Sequence, residues 1–367
     1  MKLAEITLRI VRLPLLRPYV LSYHTYTEFE PIIVEVRDGD GRVGWGEGHI
    51  SPGSSSETPA GGWAFCREHA QAVLGKDPGA AKAMIAANAG ASKVAATALI
   101  TAIEMLEDHP ALRIERAARL PLLTPFDSSV PAEIAAEVER RLDEGFRTFK
   151  IKVGKDADAD ARRVAAIQRA TAGRATLRID ANRAYSERDA CRFATALDPA
   201  RIELFEQPCD ADNWDANAKV AAVSPVPVML DEPICALADV ERAGRIHNVG
   251  YCKLKLKRFG GLSLLAEALA AVRTCGMEPV LGDGLGTELS CWMEACVATK
   301  TIRNAGEFNG FLKPKLRLLT EPLQFAAGNL ILPADFRPAL DQEALSAHEI
   351  VRERSAVLVN AHSVNAS

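Results

Sequence analysis

The sequence predicts an α/β fold in which a small N-terminal α+β unit precedes a barrel of parallel strands. Its 367 residues exceed one small core and suit two domains, or one large barrel with an addition. Near Leu120 the texture changes, and short apolar runs begin to alternate with amphipathic helical stretches. Eight such runs follow, which suits a closed ring of parallel strands joined by right-handed crossovers, about 200 residues in size. An open doubly wound sheet is the alternative topology. It calls for a Gly-rich phosphate turn after its first strand, and none stands there.

The elements follow in order. Ile6-Thr7-Leu8-Arg9-Ile10-Val11 alternates as a strand does, and Ile32-Ile33-Val34-Glu35-Val36 leads to a turn at Asp38-Gly39-Asp40-Gly41. Gly44-Trp45-Gly46-Glu47-Gly48, followed by Ser51 to Pro59, reads as a Gly/Ser/Pro-rich loop. Residues 64–116 are alanine-rich and helical in period. Leu120 to Thr124 is then a strand. Pro131 to Glu144 is a helix with Ile134, Val138 and Leu142 on one face, Ser128 or Ser129 as its cap, and Gly145 at its end. The remaining strands are expected at Phe149–Val153, Thr176–Asp180, Ile202–Glu206, Val228–Asp231, Cys252–Lys255, Pro279–Leu281 and Gly306–Asn309.

Composition excludes several classes. Hydrophobic residues at 48% and charged residues at 25% are ordinary globular values, which excludes general disorder. A net charge of −4 argues against a basic nucleic-acid binder. No apolar run approaches the roughly 18–20 residues that cross a bilayer, so no membrane partner is expected. The N-terminus lacks a signal-peptide apolar region. The eight cysteines are scattered, without a Cys-x-x-Cys, and a reduced cytoplasm is the expected location.

The charges at the strand ends carry the chemistry. Asp180, Glu206 and Asp231 each close an apolar run, 26 and 25 residues apart, about one βα unit. On neighbouring strands they would meet at the C-terminal mouth of the barrel, where such folds place their sites. Three hard oxygen donors suit Mg²⁺, with Mn²⁺ as an alternative. Acids at strand ends also cap the helices that follow, which is the structural alternative. Lys150 and Lys152 share one side of their strand, and Lys253 and Lys255 share one side of theirs. If they face inward, they approach one substrate from opposite walls; if outward, they are solvated. A metal-bound carboxylate stabilises an enediolate, and a lysine whose pKa falls toward neutrality removes the α-proton.

Five pieces in order resemble the enolase superfamily, within it the muconate-lactonizing-enzyme-like subgroup of the mandelate racemase/muconate lactonizing enzyme family. They are Phe149-Lys150-Ile151-Lys152-Val153-Gly154, Asp180-Ala181-Asn182, Glu206-Gln207-Pro208, Asp231-Glu232-Pro233 and Lys255-Leu256-Lys257-Arg258-Phe259-Gly260-Gly261. The resemblance implies a modified TIM barrel, (β/α)7β, over residues 118–315, an N-terminal α+β capping domain over 1–117, and a C-terminal segment, 316–367, returning to the cap. It implies Asp180, Glu206 and Asp231 as Mg²⁺ ligands, Lys152 and Lys255 as the acid/base pair, and Lys150 as a neighbour that tunes Lys152. Asn182 and Glu232 are implied beside the metal ligands. Lys253 is an extra cation that the pattern does not require.

No histidine falls between residues 248 and 347, so a histidine base on the seventh strand is excluded and lysine/lysine chemistry is favoured. Tyr23, His24, Asp283, Glu307 and Asn309 are candidate substrate contacts. Asp283 equally suits a helix cap, and the aromatic residues Tyr19, Tyr23, His24, Tyr26 and Trp45 equally suit a packed seam. Trp292 is expected to pack in a helix. Dipeptide epimerases of the family have Asp-x-Asp where this chain has Glu307-Phe308-Asn309, which argues against a dipeptide substrate. The expected activity is racemisation or epimerisation of a small carboxylate or amino-acid derivative, with cycloisomerisation or β-elimination as the alternative. An inactive barrel that only binds is the rival from another class, and the complete set of acids and lysines argues against it. A homo-oligomer is expected, as for most soluble assemblies.

Overall fold

A computed structural model describes residues 1–21, 24–53 and 55–357. The chain opens with five strands: β1 (Leu3–Val11), β2 (Leu13–Val20), β3 (Thr25–Phe29), β4 (Ile32–Asp38) and β5 (Val43–Gly48). Three helices follow: α1 (Pro59–Val73), α2 (Pro78–Asn88) and α3 (Lys93–Leu106). Side chains of Thr58, Asp77 and Ser92 cap these helices in turn, each accepting from a backbone N–H three residues on.

The alternating part begins with β6 (Ala118–Pro121), β7 (Thr124–Phe126), α4 (Pro131–Asp143), β8 (Thr148–Lys152), α5 (Ala157–Thr171), β9 (Thr176–Asp180) and α6 (Glu187–Thr195). It continues with β10 (Ile202–Glu206), α7 (Trp214–Val223), β11 (Val228–Leu230), α8 (Leu237–Ala243), β12 (Val249–Leu254), α9 (Leu256–Phe259) and α10 (Leu262–Thr274). The last elements are β13 (Glu278–Leu281), α11 (Glu288–Thr301), β14 (Gln324–Ala326), β15 (Asn329–Leu332), α12 (Gln342–His348) and β16 (Glu349–Ala356).

Strands β7 to β13 form one curled parallel sheet in chain order, with helices between successive strands. The expected eighth strand is reduced to a single bridge, Leu122 with Gly306. Gly306 N donates to Pro121 O at 2.9 Å, and Glu307 N donates to Leu281 O at 2.9 Å, so residues 306–307 complete the ring between β13 and the start of the barrel. The expected first strand also divides: β6 leaves the ring to pair with β15, and β7 pairs with β8. This is a modified TIM barrel. In the first part, β16, β1, β4 and β5 form an antiparallel sheet, with β16 arriving from the far end of the chain.

The Gly-Trp-Gly-Glu-Gly segment is not the expected loop but strand β5, paired with β4 over its whole length. Its glycines have a packing reason. Cβ atoms added at Gly44 and Gly46 would stand 2.1 and 1.9 Å from backbone oxygens of α3. Alternate glycines therefore let the helix lie directly on the strand, while Trp45 and Glu47 turn to the other face. The expected Ser128 or Ser129 cap is also absent: Val130 occupies the cap position of α4 without a side-chain bond. Glu137, one turn into the helix, instead accepts from the N–H groups of Asp127 and Ser128, at 3.3 and 2.7 Å.

Gly46→Ala is expected to lower stability by about 3 kcal/mol, because backbone cannot retreat as a flexible side chain would. Gly39→Ala, at a site with nothing within 4 Å of the added carbon, is expected to change it by less than about 0.5 kcal/mol. Denaturant midpoints of the two variants check this, and a wild-type midpoint for Gly46→Ala would contradict the close approach.

Candidate active site

Strand register brings the expected residues to one level. Lys152 on β8 pairs with Asp180 on β9, and Asp180 pairs with Glu206 on β10. Asp231 directly follows β11, and Lys255 directly follows β12. Below this level the barrel holds a small apolar cluster of Leu204, Met229 and Val280, with Tyr251 beside it. The charged residues thus form the layer above the plug, at the C-terminal ends of the strands.

Both lysine pairs face inward. Lys150 is buried and lies 2.9 Å from Asp180, 2.8 Å from Glu206 and 2.9 Å from Glu307. Lys152, about one-third exposed, reaches Asp180 and Asn182, each at 2.5 Å. From the opposite wall, Lys253 pairs with Glu206 at 3.1 Å and with Glu307. Lys255 meets Asp231 at 3.0 Å and Asp283 at 3.5 Å.

These contacts set the protonation states. Burial alone would neutralise Asp180, but Lys150, Lys152 and Lys253 overcome it and hold the carboxyl down at about 2. Burial and the nearby Asp180 charge raise Glu206 against the pull of its two lysines. Asp231 is held well below its usual value, because Lys255 and Arg258 outweigh its burial. The expected fall of a lysine pKa does not occur in this charge set. Burial and Arg258 press Lys255 down, yet Asp231, Asp283 and Glu232 raise it above the ordinary lysine value. Lys150 likewise rises, since Asp180, Glu206 and Glu307 overcome its burial.

The other candidates fall as follows. Asn182 donates its backbone N–H to Asp180 Oδ1 at 2.8 Å and accepts from Lys152. Glu232 faces Arg183 at 3.5 Å, and burial with the neighbouring Asp231 pushes it up to about 7. Asp283 is no helix cap, since Thr287 caps α11; it is bound by Lys257 at 2.6 Å and by Lys255. Asn309 donates to Leu123 O at 2.9 Å. His24 is exposed, with its ring 4.4 Å from that of Tyr26, and Tyr23 lies outside the described residues. Trp292 is buried in α11, as expected.

Sequence reasoning missed three residues around the site. Arg258 donates to Asp231 O and Oδ1, at 2.5 and 2.8 Å, from the short helix α9; its place three residues after Lys255 was the available signal. Glu294, buried in α11, accepts from Leu256 N at 3.1 Å and so holds the chain just after Lys255. Lys313 donates to Gly284 O and Asn309 Oδ1. Neither of the last two stands in a local pattern, because tertiary packing alone brings them here.

Fold and layer together define a βα-barrel enzyme scaffold with carboxylates and lysines converging at the mouth. Residues 133–338 match the family model described as Enolase C-terminal domain-like, and the chain belongs to the enolase superfamily, in its muconate-lactonizing-enzyme-like subgroup. It is 27% identical over 349 residues to L-Ala-D/L-Glu epimerase of Bacillus subtilis (strain 168), covering 91% of this chain and 95% of that protein. It is 27% identical over 367 residues to muconate cycloisomerase 1-2 of Acinetobacter lwoffii, covering 90% and 91%. Among solved structures it resembles the dipeptide epimerase from Cytophaga hutchinsonii complexed with Mg and the dipeptide D-Ala-L-Val. The TM-score is 0.87 at 22% identity, over 96% of this chain and 100% of that one. The two curated relatives are isomerases by name.

Glu294 provides a pH test of the site's surroundings. Burial pushes its carboxyl up to about 8, against an ordinary 4.5. A raised folded pKa means the folded state holds the proton where the unfolded chain releases it. Its contribution is therefore complete below pH 4.5 and lost as pH rises toward about 8. Glu294→Gln is expected to match the wild type at pH 5 and to be more stable by about 2–4 kcal/mol at pH 8.5. Thermal melts at the two pH values check this, and equal melting temperatures at pH 8.5 would contradict it.

Proposed function

We propose that the chain abstracts the proton α to a carboxylate and returns it to the opposite face, racemising or epimerising a small carboxylate or amino-acid derivative. One observation carries the reading. Lys152 and Lys255 come from β8 and β12, on opposite walls of the ring, and both engage the same carboxylate layer, at Asp180 and Asp231. A carboxylate substrate lying between them has an ammonium on each face of its α-carbon, the arrangement that 1,1-proton transfer requires.

The donor set fits a hard dication. Asp180, Glu206 and Asp231 offer only oxygen, all are buried, and Glu206 Oε2 makes no hydrogen bond. Among the described residues these side chains do not stand as a ready-made metal cluster, since lysine ammonium groups lie between the carboxylates. In the proposal Asp180, Glu206 and Asp231 hold Mg²⁺, with Mn²⁺ able to replace it. The bound ion would supply charge neutralisation for an enediolate. The rest is done by the chain. Lys152 removes the proton from one face, and Lys255 delivers one to the other. Asn182 and Asp180 fix the Lys152 ammonium, and Asp231 with Asp283 fixes that of Lys255. Lys150 stays protonated and neutralises the carboxylates behind Lys152.

Cycloisomerisation, in which only one lysine need act on the α-carbon, is the second reading. The similarity to muconate cycloisomerase 1-2 over 90% of the chain favours keeping it.

The test is α-hydrogen exchange in D₂O with Mg²⁺ and a panel of chiral carboxylates, followed by mass spectrometry. Lys152→Ala and Lys255→Ala are each expected to reduce turnover by about 10²–10⁴-fold, the span of a lost general acid or base. Each variant should retain exchange from at most one enantiomer. Undiminished turnover in both would overturn the assignment.

A further inference from the structure

The next inference rests on the proton-transfer reading of the same cleft and concerns the far end of its substrate. On the wall made by residues 282–313, three side chains have the chemistry to hold a substrate ammonium, and all three are engaged. Glu307 accepts from Lys150 with both oxygens, at 3.0 and 2.9 Å, and also from Lys253. Asp283 faces Lys257 at 2.6 Å and Lys255 at 3.5 Å. Asn309 uses its amide N–H on Leu123 O at 2.9 Å and its oxygen on Lys313 at 3.1 Å.

Lys253 causes the strongest of these engagements. A fully buried lysine is costly unless its charge is matched. Here it stands 1% exposed against Glu206 and Glu307. An incoming ammonium would have to displace an ammonium already bound.

Lys313 presents the opposite case. Its ammonium donates to Gly284 O at 2.5 Å and to Asn309 Oδ1 at 3.1 Å, and lies 4.5 Å over the ring of Tyr19, which lines the cleft. All these partners are uncharged. Lys150, Lys152, Lys253, Lys255, Lys257 and Arg258 each meet a carboxylate within 4 Å, whereas Lys313 does not among the described residues. The first hairpin holds it in place: Leu16 N donates to Lys313 O, and Lys315 N donates to Pro14 O, each at 2.8 Å. A half-buried cation without a counter-charge is a ready partner for an anion.

We propose that the site takes dianions, with one carboxylate at the reacting carbon and a second anionic group directed to Lys313, and that Lys253 determines specificity by holding Glu307 away from substrate amines. The class is an amino acid whose nitrogen carries an acidic acyl group, rather than a dipeptide with a free ammonium. Rejection arises from an occupied acceptor, attraction from an unmatched donor.

Calorimetric titration of the Mg²⁺-loaded full chain tests this with achiral probes: N-succinylglycine, N-acetylglycine and glycylglycine. N-succinylglycine is expected to bind at least tenfold more tightly than N-acetylglycine, and glycylglycine most weakly. Lys313→Met should reduce N-succinylglycine affinity at least tenfold and leave N-acetylglycine unchanged. Lys253→Met should narrow the gap between N-succinylglycine and glycylglycine at least tenfold; should it fail to fold, as its melting curve would show, the Lys313 variant and the wild-type order still decide. Glycylglycine binding as tightly as N-succinylglycine, or Lys313→Met without effect, overturns the inference. Exchange of chiral members of the same series in D₂O separates the two readings. Selective dianion binding without exchange defeats the reaction, and exchange that favours dipeptides defeats the substrate class.

Discussion

Charge buried inside the barrel must be matched there, and the pairing of Glu307 with Lys150 and Lys253 meets that demand across the ring. These residues come from three separate segments. Residues 306–307 have only one bridge and a few backbone bonds to hold them between β13 and the first barrel segment. Side-chain ion pairs to β8 and β12 add ties through the interior that the missing ladder does not give. Removing one partner of such a buried set costs about 3–5 kcal/mol, because the remaining charge stays desolvated. Closure of the fold and placement of the lysines are thus one problem with one solution.

The N-terminal part bears on the site by a related device. Helix N-termini leave N–H groups unsatisfied, and two barrel helices have theirs satisfied from outside the barrel. Glu47 on β5 accepts from Thr287 N, Thr287 Oγ1 and Ser290 N at the start of α11, at 2.6, 2.8 and 2.9 Å. Glu104 on α3 accepts from Leu262 N and Ser263 N at the start of α10, at 2.8 and 3.4 Å. Those helices follow the strand ends that carry Asp283 and Lys255. The glycines of β5 let α3 approach closely, and that approach sets the position of Glu104. Packing in the first part of the chain is therefore felt at the mouth of the barrel.

This also explains what the sequence revealed and what it hid. The βα alternation and the spacing of Asp180, Glu206 and Asp231 are local and periodic, so they are legible, as is the inward pairing of Lys150 with Lys152. The alternate glycines of β5 look like loop composition, because the helix they accommodate lies about fifty residues away in the chain. Ser128 and Ser129 look like caps, but Glu137 already satisfies the N–H groups there. The eighth strand has strand-like residues but too few hydrogen-bonding neighbours in register. Glu294 and Lys313 join the site only through tertiary packing, and no spacing rule points to them.

The lysine protonation states show the same limit most clearly. Cations near Lys255 suggest a lowered pKa when read along the sequence, since Lys253, Lys257 and Arg258 surround it. In space, Asp231 and Asp283 lie closer to its charge than those cations do to setting its state, and the ammonium is stabilised. Its basicity is then a balance with an identifiable lever. Burial and Arg258 press it down at all times, while Asp231 and Asp283 raise it only as long as their own charge is not drawn elsewhere. A group that competes for Asp231 removes one upward pull and leaves the downward ones in place. The layer that makes the folded barrel electrically neutral is thereby also the layer through which a lysine on the substrate's face can be moved toward neutrality.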